Sequence, residues 1–523
     1  MINLNNNFFE KYRYLIFFVI TGSIALSTWI TNPIFDSNYL FHEGEYVGLL
    51  HHMLAFYNNA IEFPLLIHGA MDFIPSIAAS GIYGDNHVIV GTRAINTTLV
   101  WLCWILFFDL CYSMVLDKAD QRIIWMVFIT AIFFIIAPRF NSPALLIQQS
   151  FLGARDIFLI LSIWCFVKFS DAIDLMHQRL FLIAGTCSAV AAFFWSYDRG
   201  IIAITFLFVM FVESIIKKAK INSLLILISA TSFLAFVQYL NIAGSLKNNI
   251  DNIYYWITNS KELFGTSFLE SGYINLITAA LLIIFCIGAI FFTIKDWSKS
   301  TDKYKAIVVG LVLVQILLLQ TILNRPGMPR LSWAIWPSIL MMLFITSRKF
   351  TVSQPFKYDL LTASLNFNLA YKFLLSILLL LVFFMSPLIL SYGSFIKNLI
   401  RPKSDLQIVS LEIINLSSAI NQLGDKCVLG WINEGVVALI AKKRFCTRYP
   451  NAIYVSKSEE GKLLQQIIKE SPNVIVFDVE GDSMVNVDNR SMSSRLPNVN
   501  KFILDNYKNR QNIGRYLIAS KSL

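Results

Sequence analysis

The chain has 523 residues, 56% of them hydrophobic, with a mean hydropathy of +0.60 and only 15% charged. A soluble chain of this size carries about a quarter charged residues, so composition excludes an ordinary soluble enzyme and points to a polytopic helical membrane protein. The net charge is +10; hydrophobicity drops after Tyr392, and 393–523 reads as a second, water-facing domain behind a transmembrane domain of 1–392.

A helix needs roughly 20 apolar residues to cross the hydrocarbon core. On that measure the spans fall at about 14–31, 96–116, 123–138, 156–170, 180–196, 200–216, 222–240, 273–294, 305–323, 331–346 and 371–391, roughly eleven in all. The first follows Lys11 and Arg13 and has no small-residue cleavage site behind it, so it reads as an uncleaved anchor. With the N-terminus on the cytoplasmic side, 17 basic residues lie in inside loops against 8 outside, which satisfies the positive-inside rule. The long first loop, 32–95, and the C-terminal domain then both lie outside. Richness in Ile, Asn and Lys points to a bacterium with AT-rich DNA, hence an inner membrane and a periplasmic exterior.

The first loop holds Asp36, His42, Glu43, Glu45, His51, His52, Glu62, His68, Asp72, Asp85, His87 and Arg93, with five of the chain's six histidines. Acidic groups beside a bilayer are costly to desolvate and mark functional sites; the plainer reading is a structural cap with solvated charges. Gly44–Asn59 is expected as an amphipathic helix with His42, Glu45, Leu49 and His52 on one face. Residues 61–80, apolar but interrupted by Pro64 and Pro75, are expected to lie at the membrane surface.

Later outside loops are short and rich in arginine: Arg139, Arg155–Asp156, Asp198–Arg199, Arg325 and Arg330. Guanidinium groups on the side where they are disfavoured fit phosphate, whose oxygens they bind in pairs. Asp156 also offers a carboxylate for a divalent metal; the alternatives are a helix cap at Asp156 and an interfacial ion pair at Asp198–Arg199. In the C-terminal domain Cys427 and Cys446 stand alone, which points to a disulfide in an oxidising compartment. The other five cysteines lie in or beside spans and read as small hydrophobes. The sequence carries no P-loop, no zinc spacing, no serine elbow and no nucleic-acid module, and its inside loops are short.

Phe41-His-Glu-Gly-Glu-Tyr46, just after the first span, resembles the acidic motif of the GT-C membrane glycosyltransferases that use polyprenyl-phosphate-linked sugars. Pro64-Leu-Leu-Ile-His-Gly69 and Ile82-Tyr-Gly84 through Arg93 are similar to the second half of that family's first outer loop. Pro472-Asn-Val-Ile-Val-Phe-Asp478, Leu504-Asp-Asn-Tyr507 and Gly514-Arg-Tyr-Leu517 resemble its small closing α/β domain. Here the acids are Glu-Gly-Glu rather than an adjacent pair, and no sequon-reading motif is present. The resemblance implies a mostly α transmembrane bundle with a small C-terminal α/β periplasmic domain. It implies inverting transfer from a polyprenyl-phosphate sugar to a glycan, lipid or protein hydroxyl, with membrane lipid as the other partner.

On that reading Glu43 is the first choice of base and Asp36 the second, with His42, Glu45 and His52 orienting it or binding the acceptor. Arg155, Arg199, Arg325 and Arg330 would bind the departing phosphate, and the apolar flanks of the loop would hold the prenyl chain. Two rivals remain: a flippase or transporter for a lipid-linked glycan, which would place charges within spans, and an O-antigen polymerase or ligase. Asp109 is the one clear charge within a span, and the long loop comes first rather than late, so the enzyme at the outer interface is the stronger reading.

Overall fold

A computed structural model describes residues 14–22, 25–26, 43–114, 152–264, 273–295, 304–324, 335–352, 387–431, 435–478 and 492–521. Its helices, in chain order, begin with α1 (Leu50–Tyr57), α2 (Ile74–Tyr83), α3 (Val88–Met114), α4 (Ile157–Asp171), α5 (Leu175–Trp195), α6 (Tyr197–Ile216) and α7 (Lys220–Leu240). There follow α8 (Leu246–Phe264), α9 (Tyr273–Lys295), α10 (Lys305–Asn324), α11 (Trp336–Val352), α12 (Pro387–Ile400) and α13 (Leu411–Gln422). Strand β1 (Cys427–Gly430), α14 (Gly435–Ala441), β2 (Arg444–Phe445), α15 (Glu460–Glu470), β3 (Val474–Asp478), α16 (Met492–Arg495), α17 (Pro497–Asn506), β4 (Asn509–Ile513) and β5 (Tyr516–Ser520) complete the chain. This is the mostly helical architecture with a small C-terminal sheet that the sequence leads one to expect. Four described helices, α3, α5, α6 and α7, are long and apolar enough to cross a membrane, and the protein is a membrane protein. The expected span at 123–138 and all but the end of 371–391 lie outside the described residues.

The chain divides into two compact units, and neither is a continuous stretch. The first takes 1–29, 97–236 and 271–396; the second takes 30–96, 237–270 and 397–523. The boundary expected after Tyr392 therefore captures one of three segments of the second unit.

In the first unit α4 packs on α5, α5 on α6, α6 on α10, and α9 on α11. Small residues set the spacing. The Ser162 hydroxyl donates to the Gly185 carbonyl at 2.9 Å across α4 and α5. At the turn from α5 to α6, a Cβ on Gly200 would stand 2.2 Å from the Phe193 Cα; the reversal can be this tight because the residue has no side chain. Asp109, the charge within a span, is bonded to Lys168 at 2.6 Å and receives the Trp164 indole N–H at 2.7 Å. Lys168 thus supplies the opposite charge inside the bundle, which offsets the cost of placing a carboxylate there.

The second unit is built around a five-stranded sheet in the order β2-β1-β3-β5-β4. Strand β1 runs parallel to β2 and β3, β3 is antiparallel to β5, and β4–β5 is a hairpin. Cys427 and Cys446 are joined by a disulfide. One hydrophobic core takes Leu429, Trp431, Ile453, Leu463, Ile467, Ile475, Val499 and Ile503 from the C-terminal segment, Leu65 from the first loop, and Tyr255 and Leu263 from α8. Buried apolar surface contributes about 25 cal/mol per Å², which ties the three segments together. Hydrogen bonds set their register. Leu65 N–H donates to Arg448 O at 2.7 Å, the Trp256 indole to Leu66 O at 2.7 Å, and the Tyr255 hydroxyl to Tyr454 O at 2.6 Å. The sequence reading gives 241–272 no element; α8 lies there, with its polar residues Asn249 and Asn252 buried and donating to Ala243 O just before the helix and to Pro64 O of the first loop.

Two expectations about the first loop change. The single helix over Gly44–Asn59 is interrupted at Gly48–Leu49, with helical residues 43–47 before it and α1 after. Gly44, Gly48 and Gly435 meet backbone to backbone: a Cβ on Gly44 would lie 2.6 Å from the Gly435 nitrogen. The apolar residues of 61–80, expected at the lipid surface, turn inward instead. Leu65, Leu66, Ala70, Met71 and Phe73 are all buried in the protein, since the loop has a sheet-bearing segment to pack against. Pro64 and Pro75 do interrupt it: residues 62–66 form neither helix nor strand, and Pro75 sits in the first turn of α2.

Candidate active site

In the second unit, Glu43 opens the helical stretch after the first expected span, and Arg93 lies in the second turn of α3. The Arg93 Nε donates to Glu43 Oε1 at 2.6 Å and its Nη2 donates to Oε2 at 2.8 Å. Glu43 is 7% exposed and Arg93 6%. This is a side-on bidentate pair, the strong form of guanidinium–carboxylate contact. Both carboxylate oxygens are engaged, so Glu43 meets a proton only by yielding a bond to Arg93. Sequence alone places Arg93 in the first outer loop without giving it a role. The argument that singled out the other outside arginines applies equally to it.

Glu45 points elsewhere: its Oε1 accepts from the Tyr454 hydroxyl at 2.7 Å, a partner 409 positions on that no local pattern reveals. Gly44 between them carries the backbone contact with Gly435, so the Glu-Gly-Glu spacing has a steric reason. It delivers two carboxylates to different partners while the backbone of α14 passes close by.

One turn after Glu43, the Tyr46 ring stacks parallel on the His68 ring, with centroids 6.1 Å apart. His68 Nδ1 is 2.7 Å from Asp72 Oδ1, while Asp72 Oδ2 accepts the backbone N–H groups of Ile67 and His68, each at 2.8 Å. Asp72 is fully buried. The contact fixes the imidazole orientation, as a carboxylate does for a proton-transfer histidine. The four-residue spacing of His68 and Asp72 is the one sequence signal of this contact.

His52, expected on the face with Glu45 and Leu49, is buried with both of them. Burial is the main cause that lowers its pKa from 6.5 to about 4, so it is a neutral imidazole at physiological pH. Its ring lies 6.0 Å from Phe445 of β2, against the sheet. At the start of α3, Asp405 accepts from the Val88 and Ile89 N–H groups at 3.0 and 2.9 Å. A carboxylate at a helix N-terminus satisfies donors that have no partner within the helix. Burial nevertheless raises the Asp405 pKa from 3.8 to about 6, against those two hydrogen bonds.

The first unit gathers another set of expected residues. Arg199 Nε is 2.6 Å from Asp156 Oδ1, and Arg155 Nη2 is 2.6 Å from Asp198 Oδ2. Ser196 donates to Asp198 at 2.8 Å, and Asp156 accepts the Gly153 N–H at 3.0 Å. Arg155, Asp156 and Arg199 are buried. Two arginines and two aspartates thus meet as a charge-balanced cluster at the α5–α6 turn. Asp156, offered above for a metal, is committed to Arg199 and to capping. Among the described residues, no group of three or more His, Cys, Asp or Glu side chains is placed to hold a metal ion. Asp36, His42, Arg325 and Arg330 lie outside the described residues.

No protein-family model matches the chain, and no curated protein matches it. Among solved structures, the crystal structure of ArnT from Cupriavidus metallidurans bound to undecaprenyl phosphate is similar at 10% identity, covering 97% of each chain with a TM-score of 0.47.

Proposed function

We propose that the protein is an inverting membrane glycosyltransferase. It moves a sugar from a polyprenyl-phosphate-linked donor to a hydroxyl of an envelope glycan, lipid or protein, at the outer face of a bacterial inner membrane. The observation that carries this reading is the state of the acidic motif. A structural cap with solvated acids would leave Glu43 and Glu45 in water, whereas both are buried and each has its own partner. Burying a carboxylate is expensive unless it is paired, and such expense concentrates at functional sites.

In the proposed step the acceptor oxygen attacks the anomeric carbon as the bond to the donor phosphate breaks. The hydroxyl proton passes to Glu43, one of whose oxygens leaves Arg93 to take it, and the phosphate departs with the electron pair. Arg325 and Arg330 are the cations proposed for that phosphate; Arg155 and Arg199 would serve only by giving up Asp198 and Asp156. Asp36 is the alternative base, and Glu45 the group that binds the acceptor.

The test must separate chemistry from folding, because Glu43→Gln alone strands a buried guanidinium. The double variant Glu43→Gln with Arg93→Met removes both charges. Purified full-length protein in nanodiscs is assayed for transfer of labelled sugar from a polyprenyl-phosphate sugar panel. The double variant is expected to melt near the wild type and to lose about 10²–10⁴-fold in transfer rate. A double variant with full transfer would remove Glu43 as base. A wild type that transfers nothing from any donor, to any of the three acceptor classes, would sink the reading.

A further inference from the structure

The first two and a half turns of α3, Val88–Asn96, belong to the second unit and carry hydrogen-bonding capacity that the protein does not use. Thr92 is 2% exposed and Asn96 1%. The Thr92 hydroxyl and both amide atoms of Asn96 are buried with no hydrogen-bond partner. A helical threonine usually returns its hydroxyl to the carbonyl four residues back. Thr186, Thr205 and Thr231 all do so here, at 2.8–2.9 Å; Thr92 does not. A buried group left unsatisfied costs about 1–3 kcal/mol, so an apolar pair of the same shape would serve the fold better.

Position and chemistry both narrow what the pair is for. Thr92 and Asn96 are four apart and share a helix face. Arg93, which holds Glu43, is three before Asn96 and adjoins the same patch. A hydroxyl and a carboxamide are neutral, and between them both donate and accept. Phosphate oxygens only accept and call for cations. The hydroxyls of a sugar each donate and accept, which is the complement of this pair.

We infer that Thr92 and Asn96 are specificity-determining residues that hydrogen-bond the hydroxyls of the donor's sugar, next to the Glu43–Arg93 pair. The inference rests on the glycosyl-transfer reading and adds the part of the donor that these residues recognise. The fold holds the two polar groups unsatisfied, and the sugar satisfies them when it arrives. A site built on hydrogen bonds also rejects ligands that cannot make them, because the buried groups are then left unpaired.

Thr92→Val and Asn96→Leu keep size and remove the hydrogen bonds. Full-length protein in nanodiscs is titrated with bare undecaprenyl phosphate and with undecaprenyl-phosphate-linked hexoses and pentoses, and melting temperatures are recorded alongside. The wild type is expected to prefer at least one sugar-bearing lipid over the bare lipid. Each variant should lose that preference by about tenfold, the worth of one or two hydrogen bonds. Both should bind the bare lipid as the wild type does and melt at the same temperature or higher. If the preference survives in both variants, the inference is overturned and glycosyl transfer stands. If the variants melt lower with the preference intact, the pair holds structural water and the inference is likewise overturned. If the wild type binds neither kind of lipid, both readings fall.

Discussion

The two units treat buried charge differently. In the first, Arg155, Asp156, Asp198 and Arg199 form a cluster balanced two against two, seated at a tight turn. In the second, one Glu43–Arg93 pair lies beside side chains whose hydrogen bonds are unspent. A balanced cluster holds elements in register. The pair beside unused donors and acceptors is where we propose that the donor sugar binds. The same residue types, read one loop at a time, look alike in both places.

The comparison can be broken most sharply at Arg199. Arg199→Met leaves Asp156 buried without its cation and is expected to cost about 3–5 kcal/mol, seen as a large fall in melting temperature. Adding Asp156→Leu should recover most of that loss. A double variant that recovers stability but not transfer would return Arg199 to the list of phosphate ligands.

The second unit's own staple comes next. Replacing Cys427 and Cys446 together with serine should cost about 2–4 kcal/mol, and reductant should do the same to the wild type. An unchanged melting temperature in reductant would contradict this.

Gly44→Ala puts a methyl group against the backbone of Gly435 and is expected to cost about 1–3 kcal/mol, with transfer falling because both flanking glutamates shift. Stability and transfer both unchanged would show that the close approach is dispensable.

The smallest effect is in pH dependence, where two groups of the second unit act with opposite sign. The His52 pKa is depressed to about 4, so its contribution is present above pH 6.5 and is lost as pH falls towards 4. The Asp405 pKa is raised to about 6, so its contribution is present below about 4 and is lost as pH rises through 6. Between pH 6 and 7 only the tails remain, on the order of tenths of a kcal/mol each. Melting curves across pH 4–6.5 should lose part of their rise with pH in His52→Gln and become steeper in Asp405→Asn; a variant that keeps the wild-type slope rules out its group.

Much of the architecture was legible because lipid enforces it. Long apolar runs must form helices where no water can satisfy the backbone, and α5, α6 and α7 fall close to the runs at 180–196, 200–216 and 222–240. The residue types that bear chemistry were legible too, since carboxylates and arginines at a membrane face are expensive and stand out. Their partners were not. Glu43 meets Arg93 fifty residues on, Glu45 meets Tyr454 across 409, and α14 reaches Gly44 by three glycines whose only signal is the absence of a side chain. By itself the sequence determined where the helices run and which side chains carry charge, because hydropathy and desolvation act locally. Tertiary structure alone decided which charges are balanced, which are poised, and that the first loop, α8 and the C-terminal sheet share one core. Those outcomes depend on contacts between distant segments, and periodicity within a segment carries no record of them.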